Sequence, residues 1–332
     1  MTPRSGQRGA ALISAMITVT LVASLASAAL WQQWRHVEIE SAERSRAQTA
    51  WLLTGALDFS RLVLREDKGP ADHLAEPWAL GLQESKLSSF LARDKQLREG
   101  DPEVYLSGGM TDAQSRLNVH NLIDNGQISL NGRAPFAKLF TLLGLPLSEL
   151  NTLQQQLLRA QPANGRPSSS TAEMAVNAPL MPQHSAQLVW LGLSPRTVAQ
   201  LAPYVVVLPE ATPLNVNTAG PEVIYASLPS MDMATAQQFV RQRANQAPLE
   251  TLEAASKALR LPTDNSLDSK QFSINTKYFF IRGRIRLEDT VQEDDLLVER
   301  NGSKVRIVWR YRAVQNRPAT TVGASLLQSA LP

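Results

Sequence analysis

Cysteine is absent from this 332-residue chain. No disulfide framework, thiolate metal site or thiol nucleophile is therefore available. Histidine is nearly absent too: His36, His73, His120 and His184 are the only four, and none stands at metal-ligand spacing from another. No phosphate-cradling glycine loop, GxGxxG fingerprint or nucleophile elbow occurs, so an enzyme is not expected. The net charge is only +3, which excludes a strongly basic nucleic-acid binder. Charge is missing altogether from one long stretch, Ala10 to Trp34.

What is present around that stretch is ordered in an unusual way. Met1–Arg8 is short and polar, with Arg4 and Arg8 as its charges; Gly9 follows, and then the apolar run. A secretory signal peptide places its small-residue cleavage site after the apolar core, whereas here the small residue precedes it. Spanning a bilayer takes about 20 apolar residues, and Ala10–Leu30 is long enough. Ser14, Thr18, Thr20, Ser24 and Ser27 dilute it, but hydroxyls can bond back to helix carbonyls. Trp31 and Trp34 fall where an interfacial aromatic belt sits, and the positive stub argues that it stays cytoplasmic while the rest is exported.

The helix is expected to continue. Arg35 to Arg65 has no proline and one glycine, Gly55, and Ala47, Ala50, Trp51, Leu57 and Leu64 recur at helical spacing, widened by Leu53 and Val63. Glu40 and Arg44 stand in the favoured i,i+4 order. Gly69-Pro70 ends the helix. At about 1.5 Å per residue, Ala10–Arg65 spans roughly 85 Å.

Beyond it, Leu87–Leu97 reads as a short helix and Val104–Leu106 as a strand before a Gly108-Gly109 turn. Asp112, Arg116, Asn118 and Asn121 read as turn and cap residues. Phe136–Ala160 is helical by period, Gln161–Ser185 a proline- and serine-rich loop, and Ala186–Leu193 and Pro195–Leu201 two short helices. The second strong signal is Pro-Leu-Asn-Val-Asn-Thr-Ala-Gly-Pro-Glu from Pro213. Thr218 can cap a helix with Pro221 in its first turn and Glu222 near its positive end; Met233–Arg243 and Leu249–Leu261 follow as helices.

The C-terminal region reads as a three-strand antiparallel meander. Phe279, Ile281, Ile285 and Leu287 alternate with Phe280, Arg282, Arg284 and Arg286; Leu296–Arg300 is a short strand; Val305, Ile307, Trp309 and Tyr311 alternate with Arg306, Arg310 and Arg312. Asn301-Gly302 signals a hairpin. The apolar face needs a helix, and Ala47–Leu64 is the candidate; the arginine face is a solvated row or a docking surface for an acidic partner or lipid headgroups. Glu293-Asp294-Asp295 reads as a solvated turn.

Three of these features carry a resemblance: the Gly9 signal without a Glu after it, the Asn215–Ala219 stretch and the C-terminal meander. The Gly9 signal resembles that of type IV prepilins and type II secretion pseudopilins. This implies cleavage between Gly9 and Ala10 by a prepilin peptidase and methylation of the new amine; an uncleaved anchor is the competing reading. Those families carry a Glu at the fifth mature position, which here is Ser14. Absence of that Glu is the mark of the type II secretion K family, and it implies a place at a filament tip, since a buried unmatched charge is costly elsewhere in the body. The stretch Asn215-Val216-Asn217-Thr218-Ala219, with Leu228, Pro229, Ala236 and Arg243, resembles the helix-hairpin-helix or SAM-like module found in the same family. Its turn, Ser230-Met231-Asp232-Met233, lacks glycine and places an acid where DNA-binding versions meet a phosphate, so no nucleic acid is expected.

The resemblance implies an α+β fold: a pilin-like long N-terminal helix packed on a small antiparallel sheet, interrupted by an inserted all-α domain. The expected parts are a leader (1–9), a membrane or filament helix (10–34), a discontinuous pseudopilin domain (35–125 and 270–317), a helical insertion (126–269, loop 161–185) and a tail (318–332). It implies a minor pseudopilin in the bacterial inner membrane, single-pass with its bulk in the periplasm. That protein caps the type II secretion pseudopilus and helps start its assembly. Its implied partners are minor pseudopilins I and J, pseudopilin H, the assembly platform, and secreted substrates or the outer-membrane secretin. A pilus-associated DNA-binding protein and an uncleaved periplasmic protein are the alternatives. The family's calcium-linked acidic run is reduced here to Glu173, and Ca²⁺ takes six to eight oxygens, so no cofactor is expected.

Overall fold

In the computed structural model, residues 8–86, 103–161, 178–261, 266–287 and 290–316 are described. The expected helix at Leu87–Leu97 and most of the loop expected at Gln161–Ser185 lie outside them. The chain divides into two compact units, Met1–Gly55 and Ala56–Pro332.

The first unit is the body of helix α1, which runs without interruption over Arg8–Glu66. Leu12, Ile13, Met16, Ile17, Leu21, Val22 and Leu25 are all exposed, so none of the described residues covers the apolar run. The hydroxyls are satisfied locally, as the sequence requires: Ser14 donates to the Ala11 carbonyl at 3.0 Å, Thr18 to Ala15 at 2.8 Å and Thr20 to Met16 at 2.9 Å. Arg35 lies over the Trp31 ring at 5.0 Å. Glu40 and Arg44 form the expected pair at 2.9 Å. Trp51, assigned by period to the apolar stripe, is 76 % exposed.

In the second unit the end of α1 buries Leu57 and Leu64, and Arg61 donates to the Val305 carbonyl at 2.8 Å. The elements that follow are β1 (Leu82–Lys86), β2 (Val104–Asp112), β3 (Leu117–Asn118), β4 (Ile123–Asp124), β5 (Gln127–Ile128), α2 (Leu130–Leu142), α3 (Leu147–Ala160), α4 (Pro195–Leu201), β6 (Val205–Val206) and β7 (Leu214–Asn215). Then come α5 (Pro221–Ser227), α6 (Met233–Ala244), α7 (Leu252–Ala258), β8 (Phe272–Ser273), β9 (Tyr278–Leu287), β10 (Thr290–Asn301) and β11 (Lys304–Asn316). The main sheet has five antiparallel strands in the order β1-β2-β9-β10-β11. The expected three-strand meander is its C-terminal part.

Several local expectations are corrected by packing. Gly108 and Gly109 do not turn the chain; they lie inside β2. A Cβ on Gly108 would stand 2.4 Å from the Arg282 carbonyl, so glycine is there for close strand approach. The helix expected over Phe136–Ala160 is two helices, α2 and α3, parted at Gly144 with φ +65° and Pro146. The hairpin turn is Gly302-Ser303, one residue later than signalled, with Gly302 at φ +57°.

The largest correction concerns β11. Val298 pairs with Ile307 but Leu297 pairs with Trp309, so Val308 is an extra residue. Side-chain period in a strand is two, and a one-residue bulge exchanges the faces beyond it. Val305 and Ile307 therefore share a face with Phe279 and Ile281, whereas Trp309 and Tyr311 lie on the other. Arg310 and Arg312 are brought to the face of Asp294. Glu293-Asp294-Asp295 is accordingly not a solvated turn but the middle of β10. Asp294 is fully buried and bound by Arg310 (Nε at 2.8 Å) and Arg312 (3.1 Å). The arginine row on β9 is largely neutralised: Arg282 pairs with Asp295 at 2.6 Å and Arg286 with Glu84 at 2.7 Å.

The helical block has one core. Leu117, Val119, Leu122 and Ile123 already belong to it, together with Phe136, Leu139, Phe140, Leu150, Leu153, Leu157, Val216, Ile224 and Phe239. Its packing thus starts before the expected boundary at 126. Ala113, Val206 and Leu208 pack on Tyr278 and Leu297, so part of the second sheet face is covered by the block.

Candidate functional site

Two regions carry the residues singled out in the sequence. In the N-terminal segment, Gly9 and Ala10 lie in the first turn of α1. Ser14, four residues on, is exposed and keeps its hydroxyl on its own helix. The most apolar window of α1 has a mean hydropathy of 2.0, and this is a helix long and apolar enough to cross a membrane.

The second region is the join between sheet and helical block, and it gathers the Asn-Val-Asn-Thr-Ala motif. The chain leaves the sheet at Asp112, the last residue of β2. It re-enters through Ser273 and Thr276 ahead of β9. β7 and β8 pair in parallel at Leu214–Phe272 and Asn215–Ser273, which brings the motif beside the re-entry segment. The Asp112 carboxylate then accepts four hydrogen bonds: from the Gln114 N–H at 2.6 Å, Asn215 Nδ2 at 2.9 Å, the Thr218 hydroxyl at 2.5 Å and the Thr276 hydroxyl at 2.6 Å. Burial pushes its pKa up to about 6, against the pull of the two threonine hydroxyls and the Gln114 amide.

Each motif residue has a distinct task. Asn215 Nδ2 also reaches the Asp72 carbonyl at 3.2 Å and Thr276 Oγ1 at 3.1 Å, while its Oδ1 accepts the Asn217 N–H at 2.9 Å. Asn217 clamps Leu249 through both its N–H, at 3.3 Å, and its carbonyl, at 2.9 Å. Val216 and Ala219 are core residues. The Val216 carbonyl accepts from Arg243 Nη1 at 2.5 Å, which explains the distant Arg of the motif. Thr218 is not the helix cap expected from the sequence: α5 starts from Gly220, and the hydroxyl is spent on Asp112.

Leu228 is buried and Pro229 exposed. Both carbonyls, at 2.7 and 3.3 Å, and that of Met231 at 2.8 Å accept from the Lys138 ammonium, which stands 4.0 Å from the Tyr225 ring. The hairpin turn is thus closed by a lysine of α2. Asp232, expected to repel phosphate, caps α6 by accepting the Thr235 N–H at 2.9 Å.

The join extends beyond the motif. Asp72 accepts the Thr276 N–H at 2.6 Å and binds Arg300 at 2.5 Å; Arg300 also binds Asp67 at 2.6 Å and the Thr276 carbonyl at 3.1 Å. Glu76 accepts from Trp78 Nε1 at 2.6 Å and the His73 N–H at 3.0 Å. Burial raises the carboxyls of both Asp72 and Glu76 above the ordinary range. The Arg300 guanidinium supplies the cation for Asp67 and Asp72. Asp72, Thr276, Arg300 and Lys138 were not foreseen, since a polar residue without period or motif carries no signal until its partners are near. Asn118 and Asn121, read as turn residues, each bind the 208–212 segment from both ends of the amide.

A long N-terminal helix, an antiparallel sheet and a helical block spliced between two of its strands define a pilin-like α+β protein with an inserted all-α domain. Two family models, both described as type II secretion system (T2SS), protein K, match residues 115–210 and 214–275. The type II secretion system protein K of Pseudomonas aeruginosa is 24 % identical, over 96 % of this chain and 97 % of that one. That of Pectobacterium carotovorum subsp. carotovorum is 26 % identical, over 94 % and 99 %. A chain in the crystal structure of the GspK-GspI-GspJ complex from the enterotoxigenic Escherichia coli Type 2 Secretion System superposes with a TM-score of 0.54 at 19 % identity, covering 82 % of this chain and 98 % of that one; this likeness is one of fold. The chain belongs to the type II secretion system protein K family and is a minor pseudopilin.

Proposed function

We propose that this minor pseudopilin caps the tip of the type II secretion pseudopilus and helps initiate its assembly. The observation that carries this reading is Ser14. It places a neutral side chain, bonded to its own helix, where filament-body subunits of the resembled families carry a Glu. Without that acid the helix offers no counter-charge to a neighbouring N-terminal amine, and an unmatched charge inside a filament is costly. The large helical block supports the same position, because a tip subunit has free space above it. The complex in which the structural relative was solved supports minor pseudopilins I and J as partners; pseudopilin H, the assembly platform, the secretin and secreted substrates complete the proposed set.

The reading includes processing: a prepilin peptidase cuts between Gly9 and Ala10, the Ala10 amine is methylated, and α1 anchors the chain once in the inner membrane with its bulk in the periplasm. We infer no nucleic-acid role, since Lys138 takes up the hairpin carbonyls. We infer no calcium requirement either, because Glu173 is the one acid in the stretch where the family's calcium-linked run falls. Two measurements test the proposal. The N-terminal peptide mass after co-expression with a prepilin peptidase is expected to show methylated Ala10 in wild type and an intact Met1 terminus in Gly9→Ala; an intact terminus in both removes the pseudopilin processing. Gold labelling of a tagged chain on isolated pseudopili is expected at one end only, and label along the length overturns the tip position.

A further inference from the structure

Among the described residues, the join described above gathers more carboxyls than cations. Asp67, Asp72, Glu76 and Asp112 converge on it; Arg300 binds Asp67 and Asp72, whereas Glu76 and Asp112 are held by neutral donors alone. Three of the four are buried: Asp72, Glu76 and Asp112. The other charged groups around it are engaged elsewhere or lie further out. Lys277 sends its ammonium to Glu210 and Glu299. Arg116 feels Asp112 through space but hydrogen-bonds the Ala202 carbonyl. A buried carboxylate without its own counter-ion is stabilised by donors or by taking up a proton.

We propose that this join is a proton-operated clamp: the three buried carboxyls gathered at the two chain crossings hold the helical block more firmly at acidic than at neutral pH. The inference rests on the fold alone and not on the tip reading. Geometry places the clamp at the two chain crossings. Asp112 sits at the exit from the sheet, Thr276 at the return, and Asn215 and Thr218 bring the helical block to the same carboxylate. Asp72 repels both Asp112 and Glu76, so proton uptake at Asp72 relieves the other two, while the threonine hydroxyls around Asp112, which accept as well as donate, can reorient when it takes up a proton.

The direction follows from linkage. Asp112 moves from an ordinary 3.8 to about 6 by burial, with Asp72 adding to the rise; Asp72 and Glu76 are raised for the same first cause. A raised native pKa means that the native state carries more protons than the unfolded chain between about 4 and 6. The contribution is fully present below the unfolded pKa and lost as pH rises through the native one. For Asp112 the shift corresponds to proton binding about a hundredfold tighter than in the unfolded chain.

The test is thermal unfolding of the full-length chain in detergent micelles from pH 5 to pH 8, comparing wild type with Asp112→Asn and Glu76→Gln. The difference between variant and wild-type melting temperature is expected to be most favourable to the variant at pH 8 and to shrink toward pH 5, as protonation relieves the wild type. Glu76→Gln keeps an oxygen for Trp78 and serves if Asp112→Asn does not fold. Unfolding curves of wild type and Glu76→Gln that stay parallel across the whole range overturn the proposal.

Discussion

The N-terminal half of α1 and the helical block are both rich in apolar side chains, and they treat them in opposite ways. From Leu12 to Leu25 the large apolar groups stay exposed, whereas from Leu117 to Phe272 they close on one core. A residue in the block has its environment supplied by its own chain. A residue in the N-terminal segment must find one outside, in lipid or among other helices, because apolar surface left in water costs about 25 cal/mol per Å². Polar groups divide the same way. Hydroxyls of the segment turn back on their own helix within four residues; those of the block's edge reach across up to 164 positions, as Thr276 does to Asp112.

Substitutions sharpen this contrast. The largest effect is expected at Gly132, where a Cβ would stand 1.7 Å from the Asn121 carbonyl. Backbone cannot yield cheaply, so Gly132→Ala should cost about 4 kcal/mol or more, at the severe end for point changes, read as a lowered urea midpoint. Next is Asp112→Ala, which removes the acceptor of the Gln114 N–H and of the Thr276 hydroxyl and one acceptor each from Asn215 and Thr218. A loss of about 3 kcal/mol is expected from buried donors left unpaired, with faster hydrogen exchange over 213–228; an unchanged midpoint would remove the join from the account of stability. Asp294→Ala takes the shared carboxylate from Arg310 and Arg312, whose guanidinium groups both reach solvent; for such partly exposed pairs a loss of about 1 kcal/mol is expected, and an effect under about 0.5 kcal/mol would mean that the bulge at Val308 does not set the faces. The smallest effect is expected at Trp51, which is exposed. Trp51→Ala should change the unfolding free energy of the isolated chain by no more than about 0.5 kcal/mol, and a larger change would show that the Trp51 ring takes part in packing.

Much of this was legible in the residues. The charge-free run, the proline-free continuation and its end near Gly69-Pro70 foretold α1, because helix formation is governed by neighbours within a turn. The motif from Pro213 announced the helical block, and the apolar positions of β9 gave its buried face. Illegible features share one cause: they depend on a partner distant in sequence. Gly108 looked like a turn because nothing local reveals that Arg282 will lie against it. Thr218 looked like a cap because Asp112 is 106 residues away. The alternation of Val305 to Tyr311 looked unbroken because a bulge is a fact about two strands, not one.

By itself, then, the amino-acid sequence determined that one segment cannot be satisfied by its own chain, that a long helix continues from it, and that a helical module interrupts the β structure. These follow from composition and period, which act over a few residues. Tertiary structure alone decided that the Asn-Val-Asn-Thr motif faces inward to a carboxylate, that a lysine closes the hairpin turn, and that three buried carboxyls gather at the join. Hydrogen bonds and burial reach a few ångströms in space at any separation in sequence, so only folding could bring those groups to one another.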